Sequence, residues 1–153
     1  MAYEIISGKE FNTRFNGVRF VKLTNKIENH YNFQYKDGLN IDTIPLTNKK
    51  ECEVGGLYFT EFNKFLLYLN NNVYIRDVKI PDDANVCILT DKFKSDKIFL
   101  EERTSICDLK EWNDKKFCLE AVKRSGFALQ FIKEQDREIC LEAVKQIGSK
   151  YNL

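Results

Sequence analysis

The run from Glu53 to Val86, EVGGLYFTEFNKFLLYLNNNVYIRDVKIPDDANV, reads as strand, turn, helix, strand and turn in succession, so the rest of the chain has to pack around it. Gly55 and Gly56 lead into Leu57, Tyr58 and Phe59, an apolar run with the aromatic enrichment of a buried strand. The glycines mark a tight approach or a bulge at the strand entry. They precede no helix directly and no Lys and Ser follow them, so they do not read as a phosphate cradle. Thr60 is placed to cap a helix whose apolar stripe is Phe62, Phe65, Leu66 and Leu69, and Asn70, Asn71 and Asn72 end it. From Val73 to Ile80 apolar residues alternate with polar ones except at Arg76 and Asp77, a slip that predicts a strand with a bulge. Pro81, Asp82 and Asp83 form a turn; Asp side chains bonding their own backbone explain it better than a paired-carboxylate site for metal or acid catalysis.

Before this stretch, Tyr3–Ile6 and Val18–Leu23 read as strands, and Phe11 and Phe15 lie one helical turn apart. From Thr24 to Glu51 polar residues crowd in and Gly38 and Pro45 punctuate, which predicts a long loop pinned by Phe33, Tyr35 and Ile44. Such a loop inside a compact domain is a place to look for function. After it, Asn85–Leu89 and Phe93–Leu100 read as two strands joined near Asp91. At about Cys107 strand-like alternation gives way to helical signals.

The C-terminal part repeats itself. CLEAVK occurs at Cys118–Lys123 and again at Cys140–Lys145, with Asp114 and Asp136 at cap distance before the copies and Gly126 and Gly148 after them. Phe117, Cys118, Ala121 and Val122 form the inner face of one helix, and Ile139, Cys140, Ala143, Val144 and Ile147 that of the other. Phe127–Ile132 makes a short connecting helix. Cys118 and Cys140 are read as small core residues at equivalent repeat positions. Stacked hairpins of this kind need neighbours to bury a continuous core, so an exposed end has to dock on the β domain or on a second subunit.

The 153 residues carry 24 Lys and Arg against 23 Asp and Glu, a net charge of +1, which removes the general electrostatic case for nucleic-acid binding. No run of about 18 apolar residues occurs and the N-terminus lacks the features of a secretion signal, so a soluble, intracellular protein without membrane contact is expected. Five Cys residues, with no CxxC pair, read as reduced thiols and lie too far apart in sequence to suggest a zinc site. Neither a metal nor a cofactor is expected.

Two longer stretches are similar to known families. The run FVKLTNKIENHYNFQYKDGLNIDTIPLTNKKECEVGGLYF, continued by VYIRDVKIPDDANV and FKSDKIFLEERTSI, resembles a domain of giant amoebal DNA virus proteins that often precedes helical or ankyrin repeats. The tail, FCLEAVKRSGFALQFIKEQDREICLEAVKQIG, resembles a short helical repeat abundant in the same viruses. The resemblance implies a source and an architecture, with no established activity.

His30 is the single histidine, read as hydrogen-bonding within its loop. With Tyr31 beside it, Tyr58 in GGLYFT downstream, and Glu101 and Glu102 late in the domain, its order is similar to that of an ADP-ribosyltransferase fold, where the resemblance implies that His and Tyr hold a nicotinamide dinucleotide and Glu stabilises an oxocarbenium-like ribose. A Cys52–His30 nucleophile and base pair is a further candidate, set against an inert Cys52 thiol. The reading adopted is α+β: a mainly antiparallel β domain with one or two helices over residues 1–106, then a small helical hairpin region over 107–153 packed on it or on a second subunit. The function expected is a non-enzymatic interaction scaffold of a giant virus, in the virion or the host cytoplasm. Its expected partners are a second copy in a homodimer and a host or viral protein; the alternative is the dinucleotide-binding transferase.

Overall fold

A computed structural model describes residues 2–151. Its chain divides into two compact units, Met1–Arg103 and Thr104–Leu153. The architecture is α+β, with a mainly antiparallel sheet and a few helices.

The first unit runs β1 (Ile5–Ser7), α1 (Gly8–Arg14), β2 (Phe20–Thr24), β3 (Asn29–His30), β4 (Phe33–Gln34), β5 (Gly38–Ile41) and β6 (Leu57–Glu61). It continues through a 3-10 segment, Phe62–Tyr68, to β7 (Tyr74–Lys79), β8 (Asn85–Ile88), β9 (Phe93–Ser95) and β10 (Lys97–Leu100). Among the described residues of this unit, eight strands join edge to edge, all antiparallel, in the order β1-β8-β9-β6-β2-β7-β10-β5, and β3 pairs with β4.

Ser7 ends β1 and starts α1, because its hydroxyl accepts the Glu10 amide at 3.1 Å. Gly8 is required at the next position: a Cβ there would lie 1.8 Å from the Pro81 carbonyl oxygen. The helix seats Phe11 in the core, its ring centroid 4.9 Å from Phe20 and 5.4 Å from Phe93, while Phe59 stacks on Phe93 at 5.4 Å. Each such aromatic pair adds about 1 kcal/mol beyond the area it buries.

Several expectations are corrected. Thr60 lies inside β6, where its hydroxyl donates to the Asp91 carbonyl at 3.0 Å; it caps nothing, and the following segment is 3-10 rather than α. β7 pairs with β2 in one unbroken register from Phe20↔Val78 to Thr24↔Tyr74, so there is no bulge at Arg76 and Asp77. Arg76 occupies an inward position because a buried carboxylate meets it. The predicted long loop contains β3, β4 and β5, and the strand predicted over 93–100 breaks at Asp96, whose carboxylate accepts the Asn85 amide at 2.8 Å.

The second unit contains α2 (Lys115–Arg124) and α3 (Arg137–Tyr151), joined through a 3-10 segment, Gly126–Phe131. Asp114 accepts the Lys116 and Phe117 amides and Asp136 the Ile139 amide, the capping that the repeat requires. Trp112 is buried, with its indole N–H donating to the Ile106 carbonyl at 2.7 Å and its ring stacked on Phe131 at 5.4 Å. Gly148 does not end its helix, which continues to Tyr151. Val144 is not on the inner face: it is 66% exposed, and Leu141 one turn before it is 58% exposed.

Candidate functional site

The site is built from the segment between β2 and β5. Asn25 closes a tight turn, its side chain accepting the Asn29 amide at 3.1 Å and donating to the Asn29 carbonyl at 2.8 Å. Within that turn Glu28 takes a left-handed backbone, φ 53°, and its buried carboxylate receives Arg76 through Nε at 2.7 Å and Nη2 at 2.8 Å. The Thr24 hydroxyl at 2.8 Å and Arg103 at 3.1 Å complete the shell. Burial alone would raise the Glu28 carboxyl, but the hydrogen bonds from Arg76, Thr24 and Arg103 override it and hold the group at about 2. This clamp ties the β3–β4 hairpin to β7.

The hairpin turns through Tyr31 and Asn32, both at positive φ (51° and 67°), the backbone sign pattern of a two-residue type I′ turn. Asn suits that conformation; Tyr does not, and a residue with a side chain there costs about 1 kcal/mol. The Tyr31 ring is 90% exposed, so nothing within the chain offsets the cost through burial.

Tyr31 stands at the mouth of a cavity of about 550 Å³, together with the exposed side chains of Ile44 and Val54. Gly55 and Gly56, both at φ +106°, form part of its wall; a Cβ on Gly55 would lie 2.3 Å from the Pro45 carbonyl oxygen. Deeper in, the walls are Tyr35 and Tyr58, with Lys22 from β2 and His30 from β3. Lys22 is only 7% exposed. Its Nζ donates to the Tyr58 carbonyl at 2.7 Å and lies 4.3 Å from the centre of the Tyr35 ring, and among the described residues no carboxylate pairs with it. Burial pushes its pKa down to about 7. His30 Nε2 accepts the Asn25 amide at 3.3 Å, leaving Nδ1 to carry the proton of the neutral ring, and burial followed by the Lys22 charge lowers its pKa.

The two carboxylates on the cavity are committed elsewhere. Asp42 accepts the Ile44 and Gly56 amides at 3.1 and 2.8 Å, and Glu53 accepts those of Lys49 and Lys50 at 3.1 and 3.2 Å. The Tyr58 hydroxyl both donates to the Glu53 carbonyl at 2.7 Å and accepts the Glu53 amide at 3.1 Å, so it braces the wall. Lys92 Nζ lies 3.1 Å from the Cys52 sulfur and 4.8 Å from the centre of the Tyr58 ring.

The residues singled out from the sequence are therefore divided. His30, Tyr58, Cys52, Gly55 and Gly56 share the cavity, whereas Glu101 does not line it and pairs with Lys79 at 2.7 Å instead. The Cys52 sulfur meets Lys92 rather than the imidazole. Pro81 accepts the Ala84 amide at 3.0 Å in its turn, and Asp82 receives the Asn12 side chain at 3.0 Å; neither is on the cavity. Cys118 is buried against the Trp112 carbonyl at 3.1 Å, and burial raises its thiol; Cys140 is half-buried. Sequence reasoning missed Lys22 and Glu28, and it set Tyr31 beside His30 without its exposed place in the hairpin turn. Two signals existed: the charged slip at Arg76, which calls for a buried partner, and the HYNF run, whose Asn allows a two-residue turn. Among the described residues, no group of three or more His, Cys, Asp or Glu side chains is arranged to hold a metal, and no helix is long and apolar enough to cross a membrane.

Comparison with known proteins places this geometry in a viral setting. Residues 114–152 match the family model described as a domain of unknown function, DUF4116. Two Acanthamoeba polyphaga mimivirus proteins that carry the name of ankyrin repeat proteins are similar. R896 is 31% identical over 132 residues, which cover 74% of this chain and 40% of that protein. R868 is 38% identical over 100 residues, which cover 61% and 50%. The chain thus spans half or less of the length of these relatives. No solved structure matches. The uncharacterized protein R869 of the same virus is 33% identical over 99 residues, with 72% of its length covered, and the chain therefore belongs to the family of mimivirus proteins that includes R869.

Proposed function

We propose that the chain is a non-enzymatic protein-interaction module of a giant virus, and that the mouth of the cavity under the β3–β4 hairpin is where a host or viral protein docks. One observation carries the reading: an aromatic side chain 90% exposed, held on a left-handed backbone, beside a cavity of about 550 Å³. A residue kept in an unfavourable conformation with little of its surface buried to repay it is explained by an external contact. Exposed aromatic anchors rimmed by apolar residues dominate many protein interfaces. Two relatives that carry the name of ankyrin repeat proteins support the same class of role.

The second unit supplies a separate surface. Leu141 and Val144 lie one turn apart on the exposed face of α3, and a homodimer closing on that face buries both with a single self-complementary patch. On this reading the assembly works in the virion or the host cytoplasm. Affinity capture from virus-infected amoebae with the wild-type chain and with Tyr31→Asn tests the docking role. A host or viral protein retained by the wild type and lost with the variant supports it. Partners retained equally by both refute it.

A further inference from the structure

The cavity also specifies the chemistry of what enters it. Lys22 is a cation held in an almost fully buried wall with one carbonyl and one ring face as neighbours and, among the described residues, no ion-pair partner. Such a group is costly to bury unless something of opposite charge meets it. Asp42 and Glu53 cannot swing to do so without abandoning the backbone amides that hold the loop, Gly56 N–H at 2.8 Å among them. Among the described residues no side chain supplies the compensating anion, so the ammonium is left open to one carried by a ligand.

We propose that the cavity binds an apolar carboxylate, with the acid group of the ligand meeting the Lys22 ammonium and its apolar body lying between the Tyr35 and Tyr58 rings. This rests on the reading of the cavity as the binding site and adds the class of group recognised there. Charge count favours the anion of lower charge. The formally charged side chains lining the cavity are Lys22 and Lys92 against Asp42 and Glu53, which sum to zero. Against that zero sum a phosphate dianion would leave two negative charges uncompensated and a carboxylate one, so the carboxylate, set directly against the Lys22 ammonium, is the less costly guest. No Arg lines the cavity to offer a planar fork, and the Gly56 amide is already given to Asp42, so the backbone cradle that phosphate favours is absent among the described residues. The volume falls within the range of pre-formed ligand sites, and flat aromatic walls suit a planar or aromatic body.

The test is an amide NMR titration of the full chain with N-acetylphenylalanine and, in parallel, with its neutral carboxamide. The acid is expected to shift the Tyr31, Gly55 and Gly56 resonances saturably and to bind about tenfold or more tighter than the amide, the advantage of a charge-assisted bond. In Lys22→Met, whose fold the same spectra monitor, the two are expected to bind equally. Equal binding of acid and amide by the wild type, survival of the preference in Lys22→Met, or no saturable binding of the acid overturns the proposal. Retention of a protein partner through Tyr31 is measured separately, so loss of the carboxylate preference with partner retention intact refutes only the ligand class. Carboxylate binding with a Tyr31-independent partner refutes only the docking role. A blocked peptide with an internal Glu beside Phe, run as a third arm, tells a side-chain carboxylate from a free acid; binding of either with the Lys22 dependence supports the proposal.

Discussion

Replacing Lys22 with Met removes the buried ammonium while keeping a flexible apolar side chain of similar length. Burial lowers the Lys22 pKa from its ordinary 10.5 to about 7. That difference places a penalty of about 5 kcal/mol on the charged form in the folded state. The unfolded chain holds the proton more tightly, so between about pH 7 and about pH 10.5 it binds more protons than the folded chain, and stability rises with pH through this group. Below about pH 7 the penalty is present in full. Loss of the 2.7 Å bond to the Tyr58 carbonyl offsets about 1–2 kcal/mol of the gain. Lys22→Met is therefore expected to be about 3 kcal/mol more stable than the wild type at about pH 7, with the advantage shrinking by about 2 kcal/mol by about pH 9. Urea denaturation of both proteins across that range, with the slope of each transition checked for constancy, gives the difference directly. A stability difference that does not change with pH, or a variant less stable than the wild type throughout, would refute the view of Lys22 as a buried, unpaired cation.

Other outcomes follow from the same geometry. Arg76→Met leaves the Glu28 carboxylate buried without its main partner and should cost about 3–5 kcal/mol, read as a lower denaturation midpoint. Because Glu28 sits at about 2 when folded, against an ordinary 4.5, its stabilisation is present above about pH 4.5 and lost as pH falls towards about 2; Glu28→Gln should flatten that part of the acid unfolding curve. Tyr31→Asn should raise stability by about 1 kcal/mol by relieving the turn, even as it removes the docking ring, and a thermal melt checks the sign. Leu141→Glu on the exposed face of α3 should leave the melt within about 0.5 kcal/mol of the wild type and convert a dimer to a monomer by light scattering.

What could be read in advance was local. Asp114 and Asp136 announce their helices because a cap needs only three residues of chain, and Phe11 with Phe15 declares one amphipathic turn for the same reason. Arg76 misled because its partner, Glu28, lies 48 residues away and inverts the meaning of a charge in an apolar pattern, turning an apparent bulge into a regular strand. Asp96 was read as part of a single strand; instead its carboxylate is drawn to Asn85, and the chain passes from β9 beside β8 to β10 beside β7. Lys22 lies in a short strand, VKL, where a lysine ordinarily reaches solvent. Only the closure of Tyr35 and Tyr58 around it makes it a buried group on a cavity, and that closure joins segments up to 36 residues apart. Tyr31 carried a readable half of its signal, the following Asn, but its exposure depends on where the hairpin stands relative to β2 and β6.

A photo-crosslinking amino acid placed at position 31, with the same group at the exposed Lys79, the last residue of β7, as control, tests the central claim in infected cells. The interaction reading predicts discrete covalent adducts with a host or viral protein from position 31 and none from position 79. Equal adduct patterns from both positions, or adducts from position 79 alone, would contradict it.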